Sequence, residues 1–157
     1  MKVNLISNGH PINGYLNIDP FVQEGNEEKI QGDFSNLDLH VEDSEANEII
    51  AMHVMKHVPF KNIYTLFQHW AKKLRIGGKI VVCDTDASEV CKKYANNDIN
   101  ILQFNELIYG QQTDPSKFIN CMITMADIIG VLENLGLKVT KKRLDGFQMC
   151  VEATREK

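Results

Sequence analysis

The sequence predicts an α/β domain: a mostly parallel sheet with helices packed on it, closed by an antiparallel C-terminal hairpin. Three observations predict it. Short apolar runs alternate with stretches of helical period. A β-branched run, Lys79-Ile80-Val81-Val82-Cys83-Asp84, has the continuous apolar character of a strand covered on both faces. Near the end, residues 137–141 and 147–154 flank Asp145-Gly146, a hairpin signal.

Taken in order, residues 2–6 form a short β-prone segment that breaks at Ser7-Asn8-Gly9-His10-Pro11-Ile12-Asn13-Gly14, a turn-rich loop. Tyr15-Leu16-Asn17-Ile18 reads as a second strand ending at Asp19-Pro20. A crossover between parallel neighbours usually takes about a dozen residues with a helix, so the first crossover here is abbreviated. Residues 46–54 are apolar enough for a buried strand. Residues 62–74 form the clearest helix, with Ile63, Leu66, Phe67, Trp70 and Leu74 on one stripe. Lys72 and Lys73 complement its dipole, and Gly77-Gly78 is expected to stop it. Residues 87–94 and 99–109 read as helices and 111–121 as irregular. Thr124 with Asp127 forms a capping-box pattern for a helix that turns Ile128, Ile129, Leu132 and Leu135 inward and ends at Gly136.

Composition sets the outer bounds. The chain has 157 residues, 43% hydrophobic and 24% charged, ordinary usage for one folded domain, taken here as residues 1–157. A formal charge of -4 leaves no electrostatic footprint for nucleic acid. The basic cluster Lys138, Lys141, Lys142 and Arg143 reads as a solvated strand end. No apolar run reaches the roughly 20 residues needed to span a bilayer, and the first residues lack a signal-peptide core. Cys83, Cys91, Cys121 and Cys150 show no paired spacing. Cys83 and Cys150 sit in apolar strand-like runs, so they read as free, small hydrophobes in a reduced, cytoplasmic protein.

In open α/β sheets, ligands bind in the crevice beyond the carboxyl ends of the strands. That directs attention to Ser7 to Pro11, Asp19, Asp33, His53 to His57, and Asp84. Four segments of the chain, in order, resemble one family. The opening from Val3 through Ile6-Ser7-Asn8-Gly9 to Ile18-Asp19 resembles a strand, a Gly-x-Gly turn and a short hop to an Asp-ended second strand. Ala51-Met52-His53-Val54-Met55-Lys56-His57-Val58 is similar to a strand followed by an "HxLEH" segment. Leu74-Arg75-Ile76-Gly77-Gly78-Lys79-Ile80 resembles an "LKPGGxLxI" strand entry, and Leu107-Ile108-Tyr109-Gly110-Gln111 with Phe118 and Thr124 resembles the stretch before the last helix. The family is that of the small S-adenosylmethionine (SAM)-dependent methyltransferases with a Rossmann-like fold, and the resemblance covers nearly the whole chain.

The resemblance implies a site. Ser7, Asn8 and Gly9 would approach SAM, or its demethylated product SAH, with backbone. Asp19 would accept from the ribose hydroxyls, Asp33 and Phe34 would flank adenine, and His53 would lie beside the methyl donor. His57, His53 and Asp84 are the candidate catalytic residues, as proton acceptors or substrate anchors; Tyr109 and Gln111 are candidates to contact the acceptor. Each has a plainer reading as well: Asp19 as a turn or cap residue before Pro20, Asp33 as an ordinary Gly-Asp turn, the histidines as hydrogen-bonded cleft residues. His53 and His57 are spaced i, i+4, but across a strand-to-loop junction and with no third ligand at a recognisable spacing, so no metal is expected.

Departures from the pattern concentrate at the cofactor loop. Ile6 and Asn8 stand where the family has glycines, and Lys56 stands where it has glutamate. Asn tolerates the left-handed region better than other non-glycine residues, so Asn8 can keep the turn; a β-branched Ile6 is expected to crowd the methionine part of SAM. Methyl transfer needs no activated protein nucleophile, only alignment of donor and acceptor. The leading expectation is therefore a SAM-dependent methyltransferase acting on a small or partner-presented acceptor. The alternatives are a catalytically inactive methyltransferase-like binding or scaffold module, and another small-molecule enzyme using the same crevice. The terminal hairpin at a sheet edge would suit a homodimer.

Overall fold

The computed structural model describes residues 1–22 and 25–157. Six strands, β1 (Lys2–Leu5), β2 (Leu16–Ile18), β3 (Ala46–Met52), β4 (Leu74–Thr85), β5 (Leu137–Asp145) and β6 (Gln148–Arg155), form one sheet in the order β2-β1-β3-β4-β6-β5. The first four run parallel, and β6 lies antiparallel between β4 and β5. This is the predicted Rossmann-like arrangement with its antiparallel hairpin. The first crossover holds no helix. Beyond β2, Ile30 alone adds a parallel bridge to Ile18.

Helices α1 (Ile63–Lys73) and α4 (Met125–Asn134) pack on one sheet face. Their inward stripes meet Val3, Leu5, Ile49, Ile80, Val82 and Val151 in a single core. Trp70, fully buried in α1, stacks edge-on against Phe67 at 5.4 Å and donates its Nε1–H to the Phe34 carbonyl at 2.9 Å. The α4 capping box forms as predicted, Thr124 and Asp127 bonding reciprocally.

Three expectations need correction. Gly77-Gly78 does not stop α1; the helix ends at Lys73, and Leu74 is already extended and paired with Ala46. The glycines instead lie inside β4, where the pairing jumps from Ala46↔Leu74 to Glu48↔Lys79. A Cβ on Gly78 would sit 2.8 Å from the Ala46 carbonyl oxygen, so this irregularity requires glycine. Second, β4 is not apolar on both faces. Opposite α1 and α4, the sheet presents Tyr15, Glu48, Lys79 and Glu152 around a half-buried Val81. Tyr15 donates to Glu48 at 2.6 Å, which pushes its phenol up to about 12, and Lys79 pairs with the same carboxylate at 3.0 Å.

Third, Cys83 and Cys150 are not free thiols but a disulfide joining β4 to β6. They stand directly opposite each other in the antiparallel register, with Cα atoms 4.2 Å apart and 67 positions apart in the chain. Strand register, which sequence spacing does not reveal, brings them together. The cysteine pattern therefore gives no ground for a reduced compartment. No helix among the described residues is long and apolar enough to cross a membrane. The outer strand β5 carries Lys138, Lys141, Lys142 and Arg143 and a register shift between Val139 and Lys141, features that oppose edge-to-edge pairing.

Candidate functional site

The carboxyl ends of β1 to β4 open onto one crevice. At its first corner, β1 runs into Ser7-Asn8-Gly9. Asn8 takes the left-handed conformation at φ 52°, which asparagine tolerates better than other non-glycine residues. Ile6 is buried, and its Cβ and Cγ2 lie 3.7 and 3.8 Å from where a Gly9 Cβ would be. Its side chain is thus packed at the turn itself.

Asp19 ends β2 with no exposed surface. Its carboxylate accepts from the Asn8 N–H (3.1 Å to Oδ1, 3.0 Å to Oδ2), the Phe21 N–H (2.9 Å) and Lys29 Nζ (3.1 Å). A carboxylate offers about four lone-pair sites; here three donors from within the chain engage both oxygens, the Asn8 N–H being shared between them. Lys29 was not singled out from the sequence. It reaches Asp19 because Ile30 is tied to β2, its N–H donating to the Asn17 carbonyl while its own carbonyl accepts from Asp19.

His57, at the end of a single 3-10 turn after β3 (Met55–His57), joins the β1 corner. Its Nε2 lies 2.5 Å from Ser7 Oγ, and its ring packs edge-on against Phe21 at 5.2 Å, with Phe34 at 6.5 Å. Burial first, and then the charge of Lys56, lowers its pKa to about 4, so the imidazole is neutral near pH 7. Asn120 anchors the covering segment here, its N–H donating to the Lys56 carbonyl at 2.6 Å and its side-chain amide to the His57 carbonyl at 3.1 Å.

His53 leaves β3 in the left-handed region, φ 55°, with its N–H on the Cys83 carbonyl at 2.8 Å. That unusual backbone brings its Nδ1 within 3.5 Å of Asp84 Oδ1 at the end of β4. Oδ1 also accepts from the Thr85 N–H at 2.8 Å, whereas the buried Oδ2 has no hydrogen-bond partner among the described residues. Both residues line a cavity of about 310 Å³ with Lys56, Glu106, Leu107, Ile119 and Met122. Burial lowers the Lys56 pKa, with Asp84 pulling the other way. A second cavity of about 360 Å³ lies by the first corner, between Asn8, Phe21, Val22 and residues 114–116.

The structure thus pairs Ser7 with His57, Asn8 with Asp19, and His53 with Asp84. The other candidates stand apart. Asp33 is exposed and accepts from the Ser35 N–H at 2.8 Å, closing a local turn. Phe34 is buried in the core beneath His57. Gln111 lines a neighbouring cavity with Glu106, Leu107 and Phe147, and Tyr109 is exposed on helix α3 (Ile101–Tyr109). No group of three or more His, Cys, Asp or Glu placed to hold a metal occurs among the described residues.

No protein-family profile matches this chain, and no curated protein matches it in sequence. Solved structures do match in fold. A protein from Pyrococcus horikoshii OT3 is similar over 99% of this chain and 82% of its own, with a TM-score of 0.62 at 12% identity. A SAM-dependent methyltransferase from Methanosarcina mazei is similar over 79% of this chain and 65% of its own, with a TM-score of 0.57 at 13% identity. An O-methyltransferase family protein from Burkholderia thailandensis is similar over 82% of this chain, with a TM-score of 0.55 at 12% identity, but this chain spans only 35% of that protein's length. At such identities the likeness is one of fold.

Proposed function

We propose that this chain is a compact SAM-dependent methyltransferase, with its donor at the ends of β1 and β2 and its acceptor at the ends of β3 and β4. The observation that carries this reading is the pair of cavities on the carboxyl edge of a methyltransferase-type sheet. One adjoins Asn8 and Phe21, and the other adjoins His53 and Asp84. His57 stands at the junction, bonded to Ser7 on one side and following Lys56, which lines the other.

The residues at the first corner fit SAM in kind. A carboxylate ends β2, aromatic Phe21 follows it, and the left-handed Asn8 turn brings backbone N–H groups to the crevice. Asn8, Asp19 and Phe21 would hold the nucleoside part, provided Lys29 vacates Asp19 Oδ2. Its flexible four-carbon stem allows that without moving backbone. When bound, SAM supplies an electrophilic methyl group on a sulfonium. The chain's own part is to hold the acceptor at Asp84, to keep water out with the 114–122 segment, and to take up a proton at the His53 imidazole oriented by Asp84. The acceptor is small, or a group that a partner presents to the cavity beside His53 and Asp84.

Calorimetric titration with SAM and SAH tests this reading. Binding by the wild-type chain, lost in Asp19→Ala, supports it; no binding by wild type or by Lys29→Ala, both folded, overturns it.

A second reading, a catalytically inactive module that keeps the fold as a binding surface, is favoured by one observation. Both oxygens of Asp19 are engaged internally by three donors, so the ion pair with Lys29 serves as structure in its own right. The same titration separates the two.

A further inference from the structure

We propose that the cavity beyond β3 and β4 is a binding site for a small organic ammonium ion, a primary or secondary amine on a compact apolar body, which donates an N–H to Asp84 Oδ2. As a ligand site this stands on the geometry alone; that the amine is the methyl acceptor rests on the function proposed above.

The first argument is the unsatisfied oxygen. The Asp84 side chain is 6% exposed, and Oδ2 is the buried side-chain polar atom that finds no partner among the described residues. An unsatisfied buried acceptor costs roughly 1–3 kcal/mol, and more when charged. Asp84 lines the cavity, and a ligand donor that reaches Oδ2 would supply the missing partner. Its sister oxygen is already engaged by Thr85 and approached by His53, so the carboxylate is held in place with Oδ2 left for a ligand.

The second argument is charge. Asp84 and Glu106 line the cavity together, and Lys56 is the one basic lysine or arginine that lines it with them. Among the described residues Lys56 makes no ion pair with Asp84 or Glu106. Burial opposes its ammonium form and Asp84 favours it, so the cavity sets two carboxylates against one lysine. A bound carboxylate or phosphate would meet two anionic side chains, whereas an ammonium would be attracted to both. The third argument is shape. About 310 Å³ is at the small end of ligand pockets, roughly 300–1,000 Å³. Leu107, Ile119 and Met122 supply an apolar wall away from Asp84, which suits a short hydrocarbon or aromatic body rather than a second charge.

Three probes of similar size separate the alternatives: 2-phenylethylamine, 2-phenylethanol and 3-phenylpropionate, titrated by NMR while the methyls of Ile119 and Met122 and the His53 ring are followed. The amine is expected to shift these signals saturably, at least tenfold more tightly than the alcohol, with no saturable shift from the carboxylate. Asp84→Asn is expected to abolish amine binding. Glu106→Gln, on the exposed rim and neutral for folding, is expected to weaken it several-fold. Failure of the amine to bind, equal binding of the alcohol, preference for the carboxylate, or unchanged amine binding in both variants would overturn the proposal. SAM is titrated separately. Amine binding without SAM binding would sink the methyltransferase reading and keep this site, and SAM binding without amine binding would do the reverse.

Discussion

Lys29 Nζ lies 3.1 Å from Asp19 Oδ2, with the lysine side chain 8% exposed and the aspartate side chain fully buried. Under the proposed function, the pair sits where the donor's ribose would bind. Removing one partner of a buried ion pair usually destabilises by about 3–5 kcal/mol. Here Asp19 keeps two backbone N–H donors, so the cost of Lys29→Ala should fall at or below the low end. The variant removes the lysine from Oδ2, which keeps only its share of the Asn8 N–H, and calorimetry should show SAH binding several-fold more tightly than to wild type. Weaker SAH binding in a folded Lys29→Ala protein would mean that the lysine belongs to the binding surface rather than standing in its way.

His57 makes stability depend on pH. Its folded pKa, about 4, lies below the value of roughly 6.5 for a free histidine. As pH falls, the unfolded chain therefore takes up the proton first. The contribution is complete above about pH 6.5 and is lost as pH falls towards 4. The side chain is half-buried, so solvent screening reduces the effect to about 1–2 kcal/mol. Urea midpoints measured at pH 7.5 and 4.5 should differ less for His57→Phe than for wild type. An equal difference would assign the acid sensitivity to other groups.

Trp70 ties helix α1 to the loop that carries Phe34. Trp70→Phe keeps most of the apolar volume and removes the indole donor, leaving the Phe34 carbonyl unsatisfied, at a cost of about 1–3 kcal/mol. Trp70→Ala adds a cavity and should cost about 3–5 kcal/mol. Denaturant unfolding checks both; a Trp70→Phe protein as stable as wild type would mean that water takes the place of the indole N–H.

The fold was legible because its signals are local. The α1 stripe, the Thr124–Asp127 box and the Asp145-Gly146 turn each depend on residues within a few positions, and each forms where expected. The crevice was legible for a related reason: strand ends are where the topology collects side chains, and Ser7, Asn8, Asp19, His53, His57 and Asp84 all stand there. Lys29 was not legible, since it stands ten positions after Asp19 and nothing about a lone lysine says which carboxylate it reaches. The opposite exposures of Asp33 and Phe34 were likewise not written in the Gly-Asp-Phe triplet. The core took the aromatic ring and left the carboxylate in solvent. The left-handed His53 is a backbone choice imposed by the β3–β4 register, which no residue-by-residue preference would select.

The Cys83–Cys150 crosslink spans 67 residues, which in the chain-entropy model corresponds to about 4 kcal/mol of stabilisation. It lies beside Asp84 and Met149, the next pair in the same register, so it also fixes the floor from which Asp84 projects. Four cysteines with one disulfide leave two thiols, exposed Cys91 and buried Cys121. Protein purified without reductant and unfolded in guanidinium should therefore titrate two thiols rather than four. Adding a phosphine reductant should lower the melting temperature by several degrees or more, and Cys150→Ser should melt lower and be insensitive to reductant. Four titratable thiols, or a melt unchanged by reductant, would show that these cysteines only face each other across the strands, and the geometry at Asp84 would then depend on the β4–β6 hydrogen bonds alone.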